Sequence, residues 1–407
     1  MKLVRLRTDG MLAAASLCTG LAAAAFITIG QRRLGSDGFA PLSAMWSLWA
    51  VASASLTFGF QQRVIALGAD RRSSRAFLRS TGALAAVGCG GAVGVAYVLT
   101  AGHTFFSWSP AFWCLVSAGV VIGSAGIGAA RGAAAVEERF GALSCVIAGE
   151  NLLRLMVFVG LLARYRSSIA GGVALLSGFL IAPVFLIGGP ASRRERRVSG
   201  ARPRDAHLLG LVLVGVIGHL VTTGIPVVFV AFGKPAATAS AVFLVLTASR
   251  LPNLALQGLV PRLSSWAASA VGEGHAIRVA RTRRFICLGG LAAAPFVYFS
   301  MLTIGRRVVD SVLRLDAGLS SQAYGIIASV ALLSTVATTA TSILASEAKT
   351  GPVFRTWFLL LAPLALALAA ERTWGRGVGA TEILTSFLIY HAVLVVCLGM
   401  LRPASNG

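Results

Sequence analysis

The chain has 407 residues, of which 56% are hydrophobic and only 12% charged. Soluble domains carry about 25% charged residues, so this composition excludes an ordinary soluble protein and points to an integral membrane one. The formal charge of +22 does not indicate nucleic acid as a partner. The basic residues form neither a groove-like patch nor an aromatic-interleaved motif; they fall between apolar runs, where membrane topology puts them.

In chain order, Lys2, Arg5 and Arg7 precede an Ala-rich run from Met11 to Gly30. That run is longer than a signal-peptide core and many more follow, so it reads as a first transmembrane helix. Twelve such runs are expected, at about 11–30, 40–60, 82–101, 111–130, 142–163, 170–188, 208–232, 237–260, 286–305, 321–344, 354–370 and 381–401. Each approaches the ~20 residues needed to cross ~30 Å of hydrocarbon. The expected fold is therefore an all-α integral membrane protein of about twelve transmembrane helices.

Lys and Arg set the orientation. With the N-terminus cytoplasmic, the inner segments hold 24 basic residues and the outer ones 10, which puts both termini inside. The inner segments include 61–81, 131–141, 189–207 and 261–285. The most basic stretch, Arg193 to Arg204, separates six runs from six. The expected organisation is thus a six-helix lobe over 1–190, a cytoplasmic linker over 191–207 and a second six-helix lobe over 208–407. The linker reads as a topology anchor, with anionic membrane lipids as a weaker binding partner.

The two halves share a faint repeat. Glu137-Glu138-Arg139-Phe140-Gly141 follows the fourth run, and Glu347-Ala348-Lys349-Thr350-Gly351 follows the tenth, 210 residues later. Parallel repeats are a common transporter plan.

The chemistry-bearing residues are few. Glu150, Asn151 and Arg154 interrupt the fifth run near its middle. Glu150 and Arg154 are four apart, so they share a helix face and can pair. A charge at that depth costs roughly 2.5–3.5 kcal/mol and usually faces a bundle interior or a wet cavity. Arg250 lies at comparable depth in the eighth run, beside Pro252, and Arg63 at the inner mouth of the second. Guanidinium groups bind phosphate and carboxylate in bidentate fashion, so Arg154, Arg250 and Arg63 form a candidate cationic substrate site, which also takes in Asn151 and Glu150, the latter holding or tuning Arg154. In the sharpest form of this expectation, Arg154 and Arg250 face each other across a central cavity. The alternatives are a purely structural Glu150–Arg154 pair and a simple topology anchor at Arg63. His219 and His391 read either as proton relays or as packing residues. Asn151 and Asn253 suit hydrogen bonds between helices. The six cysteines sit in apolar runs without disulfide or metal spacing, and no metal or cofactor is expected.

Catalytic signatures are absent: no Gly-x-Ser-x-Gly elbow, no His-Glu-x-x-His, no P-loop and no Rossmann fingerprint. The outer loops are short; the longest, about 306–320, holds Asp310, Asp316, Arg306, Arg307 and Arg314. This argues against an enzyme and against ATP as a direct energy source.

Four segments resemble the polysaccharide flippases, the O-antigen and capsule repeat-unit translocases of the multidrug/oligosaccharidyl-lipid/polysaccharide exporter superfamily. They are Leu34 to Phe39, Arg131-Gly132 with Arg139-Phe140, Glu150-x-x-x-Arg154, and Arg250-Leu251-Pro252 with Val260 to Ser264. The resemblance implies a MATE-like arrangement of two six-helix lobes. It implies alternating access that carries a polyprenyl-diphosphate-linked oligosaccharide from the inner to the outer leaflet of a bacterial cytoplasmic membrane. Glycosyltransferases and a polysaccharide polymerase are the implied partners. Two other functions stay open: a small-molecule or multidrug exporter, and a membrane enzyme or scaffold of envelope assembly.

Overall fold

The computed structural model describes residues 2–67, 81–105, 110–181, 205–223, 225, 236–307, 319–347, 350–373 and 379–401. Among the described residues the only regular structure is helical. The helices are α1 (Lys2–Ala52), α2 (Phe58–Leu67), α3 (Thr81–Phe105), α4 (Pro110–Val136), α5 (Phe140–Arg164) and α6 (Ser168–Ser177). They continue as α7 (Asp205–Thr223), α8 (Ala236–Gly272), α9 (Ala276–Ser300), α10 (Ser321–Ser346), α11 (Thr350–Thr373) and α12 (Ala380–Met400). A π-helical turn, Ser53–Thr57, joins α1 to α2, and a 3-10 turn, Gly178–Leu180, extends α6.

The helical assignment runs unbroken through the 51 residues of α1, but α1 is not one rod. A straight helix would separate Phe26 from Trp46 by ~30 Å. Their ring centroids lie 4.9 Å apart, so the chain doubles back between them. The two arms answer to the first two expected runs. On the first arm, Phe26 stacks on Phe158 of α5 at 4.2 Å, and the Thr19 hydroxyl donates to the Ile147 carbonyl at 2.6 Å.

Eight described helices are long and apolar enough to cross a membrane, and Ser168–Leu180 and Leu208–His219 are shorter apolar helices. The remaining expected runs, 40–60 and 237–260, fall on the second arm of α1 and on α8. Leu99, Ile122, Met156, Phe296, Leu359 and Leu366 are exposed along these helices. Large apolar side chains displayed over a whole surface suit lipid and would be a liability in water.

Two compact units emerge. One comprises Met1–Val216 with Gly258–Trp266, the other Ile217–Gln257 with Ala267–Gly407. The core of the first is built from Phe26, Trp46, Phe60, Trp113, Val120, Phe158 and their neighbours. The second is organised around α10, whose residues are buried almost throughout. A helix apolar all round belongs in a bundle centre. Its hydroxyls are accommodated there by bonding within the helix: Thr335 donates to Ala331 O at 3.0 Å, Thr339 to Thr335 O at 2.8 Å and Ser342 to Thr338 O at 2.9 Å.

Three of the expected inner loops are partly helix. α2 runs to Leu67, α4 continues through Arg131 to Val136, and α8 continues to Gly272, with α9 starting at Ala276. The apolar runs end at the first charges, but backbone hydrogen bonding does not: Arg131 pairs with Glu150, and Arg283 with Glu347. The expected linker falls outside the described residues up to position 204, as does the outer loop over 308–318.

Candidate functional site

The site grows from the α4–α5 hairpin. Glu150 lies ten residues into α5 and Arg154 one turn further along the same face. Arg154 Nη2 pairs with Glu150 Oε1 at 2.8 Å. The second carboxylate oxygen, Oε2, accepts from Arg131 Nη2 of α4 at 2.7 Å. One carboxylate therefore bridges two guanidiniums, and one positive charge is left over.

The two arginines stand in different surroundings. Arg154 has 0% exposure. Its Nη1 donates to Asn151 Oδ1 at 2.8 Å and its Nε to the Leu175 carbonyl at 3.0 Å. Trp49 and Phe179 lie against the guanidinium, with ring centroids 4.6 and 4.7 Å from Cζ, within cation–π range. Gly178 makes this enclosure possible. A Cβ there would stand 2.5 Å from Arg154 Nε and 2.7 Å from the Glu150 carbonyl oxygen, so the 3-10 turn closes over Arg154 only because position 178 lacks a side chain. Arg131, by contrast, keeps 19% of its side chain exposed, and its Nε is buried without a hydrogen-bond partner among the described residues.

A second polar group lies in the same unit. On α2, Gln61, Gln62 and Arg63 are all buried. Gln62 Nε2 donates to Ser264 Oγ at 3.2 Å, and Ser265 Oγ donates to the Ala135 carbonyl, also at 3.2 Å. Burial of Arg63 departs from the simple anchor reading, in which a topology arginine snorkels to water.

In the other unit, Arg250 on α8 is half-buried. Its charge bears on His219 of α7 and on His391 of α12, so the three share one region of that unit. His391 is fully buried, with Nδ1 2.8 Å from the Phe387 carbonyl. A carbonyl only accepts, so Nδ1 carries the proton there, and Nε2 has no hydrogen-bond partner among the described residues. The same unit holds a second buried ion pair, Arg283 Nη1 to Glu347 Oε1 at 3.0 Å, with Arg283 Nη2 also donating to the Leu401 carbonyl. No cluster of three or more metal-ligating side chains occurs among the described residues.

No protein-family model and no curated protein matches the chain. Solved structures of low identity do share its architecture. The eukaryotic MATE transporter AtDTX14 superposes with a TM-score of 0.70 at 11% identity, over 98% of this chain and 95% of that one. A MATE in the straight conformation gives 0.69 at 12% identity, over 96% and 93%. A MOP superfamily transporter from Pyrococcus furiosus, described as having a binding pocket of reverse polarity that suggests a different function, gives 0.65 at 12% identity, over 97% and 94%. The chain has the MATE fold.

Glu150, Asn151 and Arg154 form one bonded cluster, Arg63 lies on α2 of the same unit, and Arg250 lies on α8 among the residues of the other unit. Sequence reasoning missed Arg131 and Arg283 as helical ion-pair partners, since both were counted as inner-loop topology charges. The available signal was the i, i+3 and i, i+4 spacing of apolar residues continuing past each arginine.

Proposed function

We propose that this chain is a non-enzymatic membrane transporter that carries an anionic, polyprenyl-diphosphate-linked oligosaccharide from the inner to the outer leaflet by alternating access. The observation that supports this reading most directly is the excess positive charge of the Arg131–Glu150–Arg154 cluster, held inside a MATE fold. A diphosphate carries about two negative charges, and guanidiniums are its natural ligands. The cationic cargo of a drug exporter would be repelled there. Arg250 and Arg63 are the further cations assigned to this path, with Glu150 and Asn151 holding the first cluster in place. We place the protein in a bacterial cytoplasmic membrane with both termini cytoplasmic, working beside glycosyltransferases and a polysaccharide polymerase. An inside-negative potential favours outward movement of net negative charge by ~2.3 kcal/mol per charge per 100 mV, so no nucleotide is required.

The test is deletion of the gene followed by analysis of lipid-linked sugars. The expected result is accumulation of the lipid-linked intermediate on the inner leaflet with loss of surface glycan. Unchanged glycan and no accumulation would rule the reading out. A second reading, export of small molecules, is favoured by one neighbour of this fold, an outward-facing multidrug resistance MATE family transporter with a TM-score of 0.63. It predicts instead that the deletion sensitises cells to toxic compounds while glycan is normal.

A further inference from the structure

We infer that Arg131 is the residue that takes the cargo's phosphate, by exchanging Glu150 for a phosphate oxygen while Arg154 keeps the carboxylate neutralised. This rests on the transport reading above and gives it a specific ligand.

The argument is one of charge and access. Two guanidiniums share the two oxygens of one carboxylate, at 2.7 Å from Arg131 and 2.8 Å from Arg154. Had the cluster evolved only to hold helices together, one arginine would balance one glutamate; the third member leaves a net positive charge in a low-dielectric place, which is costly unless an anion arrives. Arg154 is not free to receive that anion. It is fully buried, two rings lie within cation–π range of its guanidinium, Nη1 and Nε donate to Asn151 Oδ1 and the Leu175 carbonyl, and Nη2 is ion-paired with Glu150 Oε1. Arg131 has the opposite character: it is partly exposed and makes a single ion pair, and its buried Nε lacks a hydrogen-bond partner among the described residues. A guanidinium whose side chain is partly reachable and whose donors are not all taken keeps capacity for a phosphate oxygen.

Position supports the same assignment. Arg131 is five residues from the end of α4, or ~8 Å at 1.5 Å per residue, so it lies just inside the α4–α5 turn. With the topology expected from the basic residues, that turn faces the leaflet from which the cargo is collected. When a phosphate engages Arg131, the bond to Glu150 Oε2 is given up, but Glu150 stays paired through Oε1 to Arg154. No buried charge is stranded during the exchange, which keeps the step reversible. Arg154 is then a positioning residue, one step removed from the cargo.

The test uses the full chain, purified and placed in nanodiscs of phosphatidylcholine. Binding of three probes is measured: a polyprenyl diphosphate, inorganic diphosphate and phosphatidylglycerol. The expected result is that Arg131→Gln weakens the polyprenyl diphosphate by about tenfold or more, the loss of one charge-assisted hydrogen bond. Arg131→Lys, which keeps the charge and the packing, should lose about threefold by giving up the fork. Glu150→Gln should tighten binding by removing the competing carboxylate, an effect that a merely structural arginine would not produce. Unchanged affinity in both Arg131 variants, with wild-type melting, would overturn the assignment and leave the transport reading standing. Equal affinity for phosphatidylglycerol would overturn it in favour of a general lipid site. If the wild-type chain binds no polyprenyl diphosphate, the transport reading itself fails and the inference falls with it.

Discussion

Arg154 is a large charged side chain placed where water does not reach, and three acceptors and two rings keep it there. Lysine offers a point charge rather than a planar fork. Arg154→Lys should therefore retain the pair with Glu150 but lose the bonds to Asn151 and the Leu175 carbonyl, costing about 1–3 kcal/mol of stability. Thermal unfolding of the detergent-solubilised protein measures this. If Arg154→Lys abolishes transport with its melting midpoint unchanged, Arg154 contacts cargo and its role as a packed, positioning residue is wrong. Gly178→Ala attacks the same enclosure from the other side. The added Cβ meets the Glu150 carbonyl oxygen at 2.7 Å, an overpacking that should cost about 1–3 kcal/mol. At this scale the sequence was informative about the Glu150–Arg154 pair, because i, i+4 spacing on one helix is a local property. It was silent on Trp49, Phe179 and Gly178, which reach Arg154 only through tertiary packing.

Two helices end in the same device. After α8, His275 N–H donates to Ala270 O at 2.8 Å and Gly274 N–H to Val271 O at 3.0 Å; after α4, Arg139 N–H donates to Ala134 O at 2.9 Å and Glu138 N–H to Ala135 O at 3.2 Å. Both are Schellman caps, whose turning residue takes a left-handed conformation. Gly274 has φ 83° and Glu138 has φ 55°. A side chain at such a position costs about 1–2 kcal/mol relative to glycine. Gly274→Ala, in open space, should thus destabilise by about 1 kcal/mol, and Glu138→Gly should stabilise by about 0.5–1 kcal/mol. Opposite shifts in melting midpoint are the expected outcome; shifts of the same sign would mean that neither cap limits stability. The first cap also explains a misread boundary. A charged Glu137-Glu138-Arg139 segment looks like a loop, but three residues suffice to reverse the chain when the cap satisfies the last carbonyls. Arg131 is consequently helical and paired with Glu150, with part of its side chain still exposed. Helix existence was legible from hydropathy; helix ends depended on capping geometry that apolar runs do not encode.

At the scale of the whole molecule, the faint repeat in the sequence corresponds to a repeated hairpin. Val136 and Ser346 close the first helix of each copy, and Phe140 and Thr350 open the second, 210 residues apart. The links between the two helices differ. Arg131 of α4 meets Glu150 of α5, whereas at the shifted position Thr341 of α10 accepts from Trp357 Nε1 of α11 at 3.0 Å. A neutral link therefore satisfies this scaffold, and the charge in the first copy is an addition to it. The second copy spends its buried charge elsewhere: Glu347, at the end of α10, pairs with Arg283 of α9, which also holds the Leu401 carbonyl beyond α12. Both side chains are 0% exposed, and the pair ties the ends of three helices together. Removing one member strands the other in a low dielectric, at about 3–5 kcal/mol, while replacing both with apolar residues of similar volume is often neutral. Glu347→Leu and Arg283→Leu should each destabilise strongly. The double variant should recover the penalty of the broken pair but stay short of wild type by the unsatisfied Leu401 carbonyl, a deficit it shares with Arg283→Leu and not with Glu347→Leu. Unfolding midpoints of the four proteins yield the coupling energy directly. Additive losses would mean that the two residues act independently, and the three helix ends would then be held by apolar packing alone.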